Sequence, residues 1–419
     1  MEFEVVSAFE RVQSTLAPVL DIVAERVDDA SVPGWCARRG WQDFLLSLKD
    51  EQLALCEAEG LAFACPLLAA APQDLAELAR SVRQSCALEA LESVLVAQSN
   101  EDYRGVSSRK RAQVASLLAT LGTLVDGAER IVDVGSGSGH FTRLAAHHFG
   151  RATLGLERNP ERVRSANARL SARSGEASPC APQFAVVDAL REPLSLRAND
   201  LAIGLHACGE LGDTLVTAVA DSGADLALIS CCLQKIRAEE RAPLTRSASG
   251  LALSKKTLGL SNLTSRVLGV EADVAHMLAA RQARLALRSL LLERGLSVPS
   301  GAEMSGINRR RAQAGLSDLA DRALAQRGLQ PASAAEIARH EHNAARDFAR
   351  VRRLSLPRNM LSRLVELSVV LDRAMKLHEA GHAVRVATVF EPDVTPRNIG
   401  LFASRDAARL PATARLPKP

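Results

Sequence analysis

The sequence lacks an apolar run long enough to cross a membrane, and it contains no C-x-x-C cysteine pair. Its longest apolar run, at residues 61–71, is far shorter than the roughly 20 residues that a membrane span requires. Residues 1–4 include two acidic side chains, so a secretory signal is not predicted. Eight cysteines with no C-x-x-C pair, in a chain of this length, indicate reduced thiols. We therefore expect a cytoplasmic protein that does not bind membranes.

The composition excludes fibrous and wholly disordered classes, because 47% of the 419 residues are apolar and 24% are charged. The charge is unevenly distributed along the chain. Residues 1–105 have a net charge of −10, residues 106–233 of zero, residues 234–363 of +12 and residues 364–419 of +2. The basic block predicts a surface for a polyanion such as RNA, although a solvated arginine-rich helical face would give the same count. The acidic N-terminal region is better suited to a protein partner.

Short β-branched runs alternate with helical patterns in the middle of the chain, and this alternation predicts a parallel sheet with helices on both faces. Helical spacing dominates on either side of it, with one predicted helix at 75–96. The predicted strands are at 131–134, 152–156, 184–187, 201–205, 226–230, 383–390 and 398–404. The predicted division is a helical N-terminal domain at 1–100, an α/β domain at 101–233 and 361–405, a basic helical insertion at 234–360, and a disordered tail at 406–419.

A glycine-rich segment follows the first predicted strand and opens a helix. Asp133 is followed by Gly135, Gly137 and Gly139, with Ser136 between the first two glycines. Glycines let the backbone turn tightly and approach a ligand, and a helix N-terminus offers unpaired N–H groups. The spacing is G-x-G-x-G and not the G-x-G-x-x-G of dinucleotide sites. It is typical of class I S-adenosylmethionine-dependent methyltransferases, with a nicotinamide site or a plain structural turn as alternatives.

Two further acidic residues are placed where such a cofactor site needs them. Glu157 ends the second predicted strand, where a carboxylate can accept both ribose hydroxyls. Asp188 ends the third, where an acidic residue can meet the adenine amino group. Together with the glycine segment, they predict a cofactor site for S-adenosylmethionine, with His206 bordering it after the fourth strand.

Four further motifs are present: a His-x-Cys-Gly after strand four, paired cysteines after strand five, a late segment rich in proline and an upstream basic motif. These are residues 204–211 (GLHACGEL), 228–232 (LISCC), 389–398 (VFEPDVTPRN) and 106–111 (VSSRKR). Together they resemble the motifs of the methyltransferase-like protein 25 family and, more distantly, of the tRNA ribose 2′-O-methyltransferases that modify the acceptor stem. The resemblance covers roughly 103–235 and 360–405. The resemblance implies a Rossmann-like class I sheet and S-adenosylmethionine as cofactor.

The same motifs indicate the acceptor side of the site, which we expect at Cys208, Gly209, Cys231, Cys232 and Lys235. The paired cysteines suit a nucleophilic thiolate or buried packing beside the cofactor, and packing is favoured. The family often has an aromatic residue and a histidine after that pair. Here a Leu-Gln-Lys segment follows instead, which leaves the acceptor open.

His206 could act as a general base on the acceptor or could only brace its loop. Transfer from a sulfonium can proceed largely by positioning, so a strong base is not required. The absence of an N-P-P-Y or D-P-P-Y motif argues against adenine-N6 methylation. Residues 378–382 match H-E-x-x-H, but Gly381 is expected to end the helix and separate the two histidines, so no metal site is predicted.

The function predicted from these features is an S-adenosylmethionine-dependent methyltransferase that acts on RNA, with tRNA as one candidate and the block 234–363 contacting phosphates. Phe348 is the only aromatic residue of that block, so recognition by shape is favoured over base stacking. The alternatives are a methyltransferase of a protein or a small molecule, and a non-catalytic S-adenosylmethionine-binding protein that bridges partners.

Overall fold

The structure is a computed structural model that describes residues 4–27, 29–92, 108–171, 180–205, 207–266, 271–299, 301–391, 395 and 397–414. Its strands are β1 (Arg130–Val134), β2 (Ala152–Glu157), β3 (Gln183–Val186), β4 (Asp200–Gly204), β5 (Asp225–Ile229), β6 (Glu240–Arg241), β7 (Leu253–Ser254), β8 (Ala383–Thr388) and β9 (Ile399–Ser404).

The helices of the N-terminal third are α1 (Val5–Leu16), α2 (Leu20–Ala24), α3 (Gly34–Arg39), α4 (Gln42–Ser47), α5 (Asp50–Glu59), α6 (Cys65–Leu68), α7 (Gln73–Ser85), α8 (Ser108–Thr120) and α9 (Gly122–Asp126). The later helices are α10 (His140–Phe149), α11 (Pro160–Ser171), α12 (Glu210–Ser222), α13 (Lys255–Leu258), α14 (Glu271–Glu293), α15 (Leu316–Ala325), α16 (Ala334–Leu354), α17 (Leu356–Met360) and α18 (Ser362–Glu379).

Seven of these strands form one mixed sheet in the order β3-β2-β1-β4-β5-β9-β8. The first five are parallel, and β9 runs antiparallel to both β5 and β8. β4 and β5 are buried along their whole length, as expected for strands with helices on both faces. The predicted α/β class of a Rossmann-like methyltransferase sheet is confirmed.

The chain divides into two compact units, each assembled from separate segments. The first unit contains residues 1–18, 82–265 and 362–419, and the second contains residues 19–81 and 266–361. The first unit holds the sheet. On one face, side chains of α8, α9 and α10 pack against β1, β4 and β5 in a single apolar cluster. α18 contacts α12 and α1, and its side chains are almost all buried.

The second unit is helical and has its own apolar core. α14, α15 and α16 pack together around Leu287, Leu290, Leu319 and Leu324. α5 joins this unit through ion pairs with α16, because Arg352 Nε donates to Glu57 at 2.9 Å and Arg353 Nη2 donates to Asp50 at 2.7 Å. Acidic residues of the N-terminal third therefore neutralise arginines of the predicted basic block.

The observed units differ from the predicted division. Residues 1–100 do not form one domain, because α1 belongs with the sheet and residues 19–81 belong with the later helices. Residues 234–265 belong to the sheet unit and not to an insertion. They are attached there by Arg241, which donates to Asp372 of α18 at 2.7 Å. Sequence periodicity predicts helices but does not show which helices share a core.

Two local predictions also differ from the structure. The helix predicted at 75–96 ends at Ser85, because the backbone then pairs with other segments: Leu91 N–H donates to Thr388 O at 2.9 Å. Residues 406–414 of the tail predicted to be disordered are ordered, and the rest of that tail lies outside the described residues. Leu410 is buried in the sheet core, and Ala414 N–H donates to Ala90 O at 2.9 Å.

The H-E-x-x-H segment does not bring its histidines together. α18 ends at Glu379, and Gly381 takes a positive φ of +87°, as its position predicts. His378 is exposed, whereas His382 is buried with its Nε2 3.0 Å from Ala224 O. In the part of the chain that the structure describes, no helix has both the length and the apolar character needed to cross a membrane.

Candidate active site

The glycine segment forms a loop that folds over the end of β2. Gly135, Gly137 and Gly139 have φ angles of +80°, +60° and +72°, which strain any other L-residue. The N–H groups of Gly135 and Ser136 both donate to Leu156 O, at 2.8 and 3.0 Å. α10 begins directly after the loop, so the N–H groups of its first turn face the same edge of the sheet.

The three glycines have different surroundings. A Cβ on Gly139 would overlap the ring of Phe184 in β3, so this glycine is required by packing. A Cβ on Gly137 would meet nothing nearer than Gly135 O, at 3.9 Å. Gly137 therefore faces open space, and a ligand can approach the backbone there.

Glu157 connects the loop to the end of β2. Its Oε2 accepts the Gly137 N–H at 3.0 Å, and its Oε1 accepts the Asn159 N–H at 2.9 Å. The residue is only 7% exposed. An ionised carboxylate has about four acceptor positions, so lone pairs remain for the two hydroxyls of a ribose.

Asp133 is buried beneath the loop. Its Oδ2 accepts a hydrogen bond from Thr142 Oγ1 of α10 at 2.6 Å. Burial raises the pKa of Asp133 to about 6, although the Thr142 hydrogen bond and the charge of Lys110 act in the opposite direction. Ser136 Oγ is buried and has no hydrogen-bond partner among the described residues. A buried hydroxyl without a partner fits a loop built to receive a polar ligand.

Asp188 lies two residues beyond β3, at the same edge of the sheet. The Val187 N–H donates to Glu157 O at 3.1 Å, which holds the ends of β2 and β3 together. Asp188 Oδ1 accepts the Leu190 N–H at 3.2 Å, and its side chain is 30% exposed. The structure thus brings the predicted residues Asp133, Glu157 and Asp188 to one edge, around the glycine loop.

The predicted acceptor-side cysteines meet at the ends of β4 and β5. Cys208 Sγ lies 2.7 Å from Cys231 Sγ, and the three sulfurs of Cys208, Cys231 and Cys232 all lie within 4.8 Å of one another. Two cations adjoin them. Arg397 Nη1 is 3.0 Å from Cys232 Sγ, and Lys235 Nζ is 3.9 Å from Cys208 Sγ.

The surroundings of Cys208 and Cys231 shift the pKa values of the two thiols in opposite directions. The hydrogen bond with Cys231 lowers the pKa of Cys208 to about 6, and the charges of Lys235 and Arg397 act in the same direction against burial. The same hydrogen bond, together with burial, raises the pKa of Cys231. Packing of the paired cysteines beside the cofactor stays a prediction, and the structure adds that these sulfurs contact one another and two cations.

Gly209 closes the loop after β4 against the loop after β5. Its φ is +51°, and a Cβ there would overlap the Lys235 carbonyl. The Glu210 N–H donates to the same Lys235 carbonyl at 3.1 Å. Gly209 and Lys235 therefore join the two loops through their backbones. His206 lies outside the described residues.

A fully buried arginine holds the loops after β4 and β5 in place through hydrogen bonds. Arg373 of α18 donates to Gly209 O at 2.7 Å, to Ser230 Oγ at 2.6 Å and to Asp213 Oδ1 at 2.8 Å. Asp213 also accepts from Arg241 at 2.9 Å. Burial pushes the pKa of Asp213 upward, but the charges of these two arginines outweigh burial and leave it below its ordinary value.

The sequence analysis did not identify Arg373, Arg241 or Asp213 as parts of the site. One signal was available, because Asp372 and Arg373 interrupt the mostly apolar stretch of the helix at 367–375. A charged pair in such a stretch indicates a buried ion pair. Arg397 stands in the late motif, but the motif alone does not show that it contacts Cys232.

Comparisons with known proteins match one family model and several solved structures. Residues 109–239 match a family model described as a methyltransferase domain. Among solved structures, the chain is similar to magnesium protoporphyrin IX methyltransferase from Synechocystis PCC 6803 with bound S-adenosylmethionine, at 18% identity over 32% of this chain and 64% of that one (TM-score 0.24). It is also similar to Pyrococcus abyssi tRNA (uracil-54, C5)-methyltransferase in complex with S-adenosyl-L-homocysteine, at 23% identity over 28% of each chain (TM-score 0.23).

A further similar structure is human N-acetylserotonin methyltransferase with S-adenosylmethionine, at 19% identity over 28% of this chain and 33% of that one (TM-score 0.22). In each comparison the matched segment spans less than two thirds of the solved chain. Residues 109–239 of this protein therefore match a methyltransferase domain, and the sheet to which they contribute has a Rossmann-like strand order.

Proposed function

We propose that the whole chain is an S-adenosylmethionine-dependent methyltransferase that works in the cytosol. The observation that carries this proposal is the loop at Gly137, whose open backbone lies beside the Glu157 carboxylate at the sheet edge. In this arrangement Glu157 would accept the ribose hydroxyls and Asp188 the adenine amino group. The cofactor supplies a methyl group on a positively charged sulfur.

The protein's own contribution to the reaction is positioning. The loops after β4 and β5 would hold the acceptor in line with that methyl group, and Arg373 keeps both loops in place. As the new bond to the acceptor forms, the bond from carbon to sulfur breaks and the acceptor loses a proton. His206 remains the proposed group for that proton, as an alternative to water.

For the acceptor we propose RNA, with tRNA as the first RNA to test. The support is electrostatic. Residues 234–265 have a net charge of +4, and they include the exposed side chains of Lys235 and Lys256 in the unit that holds the site. Phosphate contacts from such groups give affinity without sequence reading. The motifs shared with the methyltransferase-like protein 25 family and the tRNA ribose methyltransferases are part of the same proposal.

Acidic residues of the second unit offset most of the positive charge that its arginines could offer to RNA. The second unit has 21 basic and 20 acidic side chains, because residues 19–81 contribute 11 acids against the arginines of residues 266–361. Arg352 and Arg353 are engaged by α5. The proposed RNA surface is therefore the segment 234–265 more than the full block 234–363. The acidic N-terminal third remains a proposed protein contact.

The test is transfer of a labelled methyl group from S-adenosylmethionine into an extract from cells that lack this gene. The proposal predicts label in small RNA that disappears on ribonuclease treatment. Gly137→Val should abolish the label. Lys256→Ala should reduce it, with a matched change at Lys376 as control. Label in protein or in small molecules would contradict the RNA acceptor. Tight cofactor binding without any label would favour the non-catalytic bridging protein.

A further inference from the structure

We infer that Cys208, Cys231 and Cys232 bind one Zn²⁺ ion at the acceptor edge of the sheet. Three sulfurs from two neighbouring strand ends lie within 4.8 Å of one another. Because a zinc–sulfur bond is about 2.3 Å, two sulfurs on one ion lie at most about 4.6 Å apart, and side-chain shifts of a few tenths of an ångström bring the three sulfurs within that distance. One metal ion can therefore be reached by all three side chains.

The backbone conformation of Cys232 supports a specific role for its sulfur. Among the described residues, Cys232 is the one non-glycine residue with a clearly positive φ, at +24°. Such a conformation costs about 1–3 kcal/mol and persists only where the surroundings enforce it. Here it brings a third sulfur to the pair formed by Cys208 and Cys231. Simple packing would not require it.

The neighbouring groups match the charge of a thiolate-bound zinc ion. Three thiolates and one Zn²⁺ leave a charge of −1. Arg397 donates to Cys232 Sγ at 3.0 Å, and Lys235 Nζ lies 3.9 Å from Cys208 Sγ, so cations face this charge. Asn262 Oδ1 accepts from the other nitrogen of Arg397 at 3.1 Å and orients its guanidinium group. Contacts of this kind hold metal ligands in place.

The ligand set indicates zinc and not a hard cation. Magnesium and calcium prefer oxygen ligands, whereas thiolates select zinc and other soft or borderline ions. Three protein ligands leave the fourth position of a tetrahedral ion for water or an incoming group, as in catalytic zinc sites. Tetrahedral zinc places its sulfurs about 3.8 Å apart, so binding would separate Cys208 and Cys231 by about 1 Å.

A disulfide between Cys208 and Cys231 is the competing explanation for their close approach. It would use two of the sulfurs and would leave the strained Cys232 and its contact with Arg397 without a role. The two explanations predict different states of the purified protein. Zinc leaves all eight cysteines as thiols after metal removal, whereas the disulfide leaves six.

The test is the metal content of the full-length protein, purified without chelator and measured by mass spectrometry under native conditions and by elemental analysis. The inference predicts about one zinc per chain and, after exchange, the absorption bands of thiolate-bound tetrahedral cobalt. Cys208→Ala and Cys232→Ala should lose both signals. Cys65→Ala, which changes an exposed cysteine of the other unit, should keep them. Arg397→Gln should weaken zinc binding about 10- to 100-fold.

A wild-type chain that holds no zinc after reconstitution, with eight reactive thiols or with six, would overturn the inference. This measurement uses the wild-type protein, so it does not depend on whether a variant folds. It is also separate from methyl transfer, so a failure of the zinc site and a failure of the proposed function are distinguishable.

Discussion

The two halves of the site, at opposite sides of the sheet's centre, are built by different means. The cofactor edge, at the ends of β1, β2 and β3, is formed mainly by backbone N–H groups and three carboxylates. The acceptor edge, at the ends of β4 and β5, is formed by three thiols, two cations and a buried arginine. The first edge is formed by one local segment of the chain, whereas the second is assembled from side chains of distant segments.

The largest expected effect is the loss of stability on replacing Arg373, the buried arginine of the acceptor edge. Arg373, whose side chain has no exposure to water, donates to Asp213 and to Gly209 O, so Arg373→Met leaves Asp213 with one cation fewer and Gly209 O without its donor. We expect a loss of about 3–5 kcal/mol in the free energy of unfolding, measured by urea denaturation. The exposed Arg237→Met should leave the unfolding midpoint unchanged. Equal losses of unfolding free energy in the two variants would show that Arg373 does not hold the two loops in place.

The difference between the cofactor edge and the acceptor edge also shows which parts of the molecule can be predicted from the sequence. The glycine loop, Glu157 and Asp188 follow from local spacing, since a strand, a turn and a helix lie next to one another in the chain. The contact between Arg397 and Cys232 joins residues 165 positions apart, and no local pattern specifies it. The grouping of residues 19–81 with residues 266–361 is likewise a matter of which apolar faces share a core.

The next effect concerns the buried carboxylate at the cofactor edge. The pKa of Asp133 in the folded protein is about 6, above the roughly 3.9 of an unfolded chain, so the folded state binds this proton more tightly. The contribution of Asp133 to stability should therefore rise as the pH falls from 8 toward 4. At pH 8 the buried charge costs at most about 3 kcal/mol, which Asp133→Asn would remove.

The measurement is the difference in unfolding free energy between Asp133→Asn and the wild type across that pH range. The variant should be the more stable protein at pH 8, and the difference should shrink toward pH 4. Asp221→Asn, at an exposed position on α12, should show a difference that does not vary in this way. A difference at Asp133 that is independent of pH would contradict the assigned charge state.

A smaller effect is expected from Glu157→Gln. The amide keeps one acceptor oxygen for the Gly137 N–H but loses the charge that would strengthen the bonds from ribose hydroxyls. Hydrogen bonds to charged groups are worth about 1.5–3 kcal/mol, so the dissociation constant for S-adenosylmethionine should rise about 10- to 100-fold. Calorimetric titration measures it, with the exposed Glu161→Gln as control. Unchanged affinity would remove Glu157 from the cofactor site.

The central claim is that the loop at Gly137 binds S-adenosylmethionine, and it is tested most directly by titrating the cofactor into two matched variants. Gly137 and Gly150 both have a positive φ, +60° and +58°, and both have space for a side chain, but Gly150 lies at the far end of α10. Gly137→Val should fold and lose detectable binding, while Gly150→Val should bind as the wild type does. Wild-type affinity in a folded Gly137→Val protein would contradict the claim.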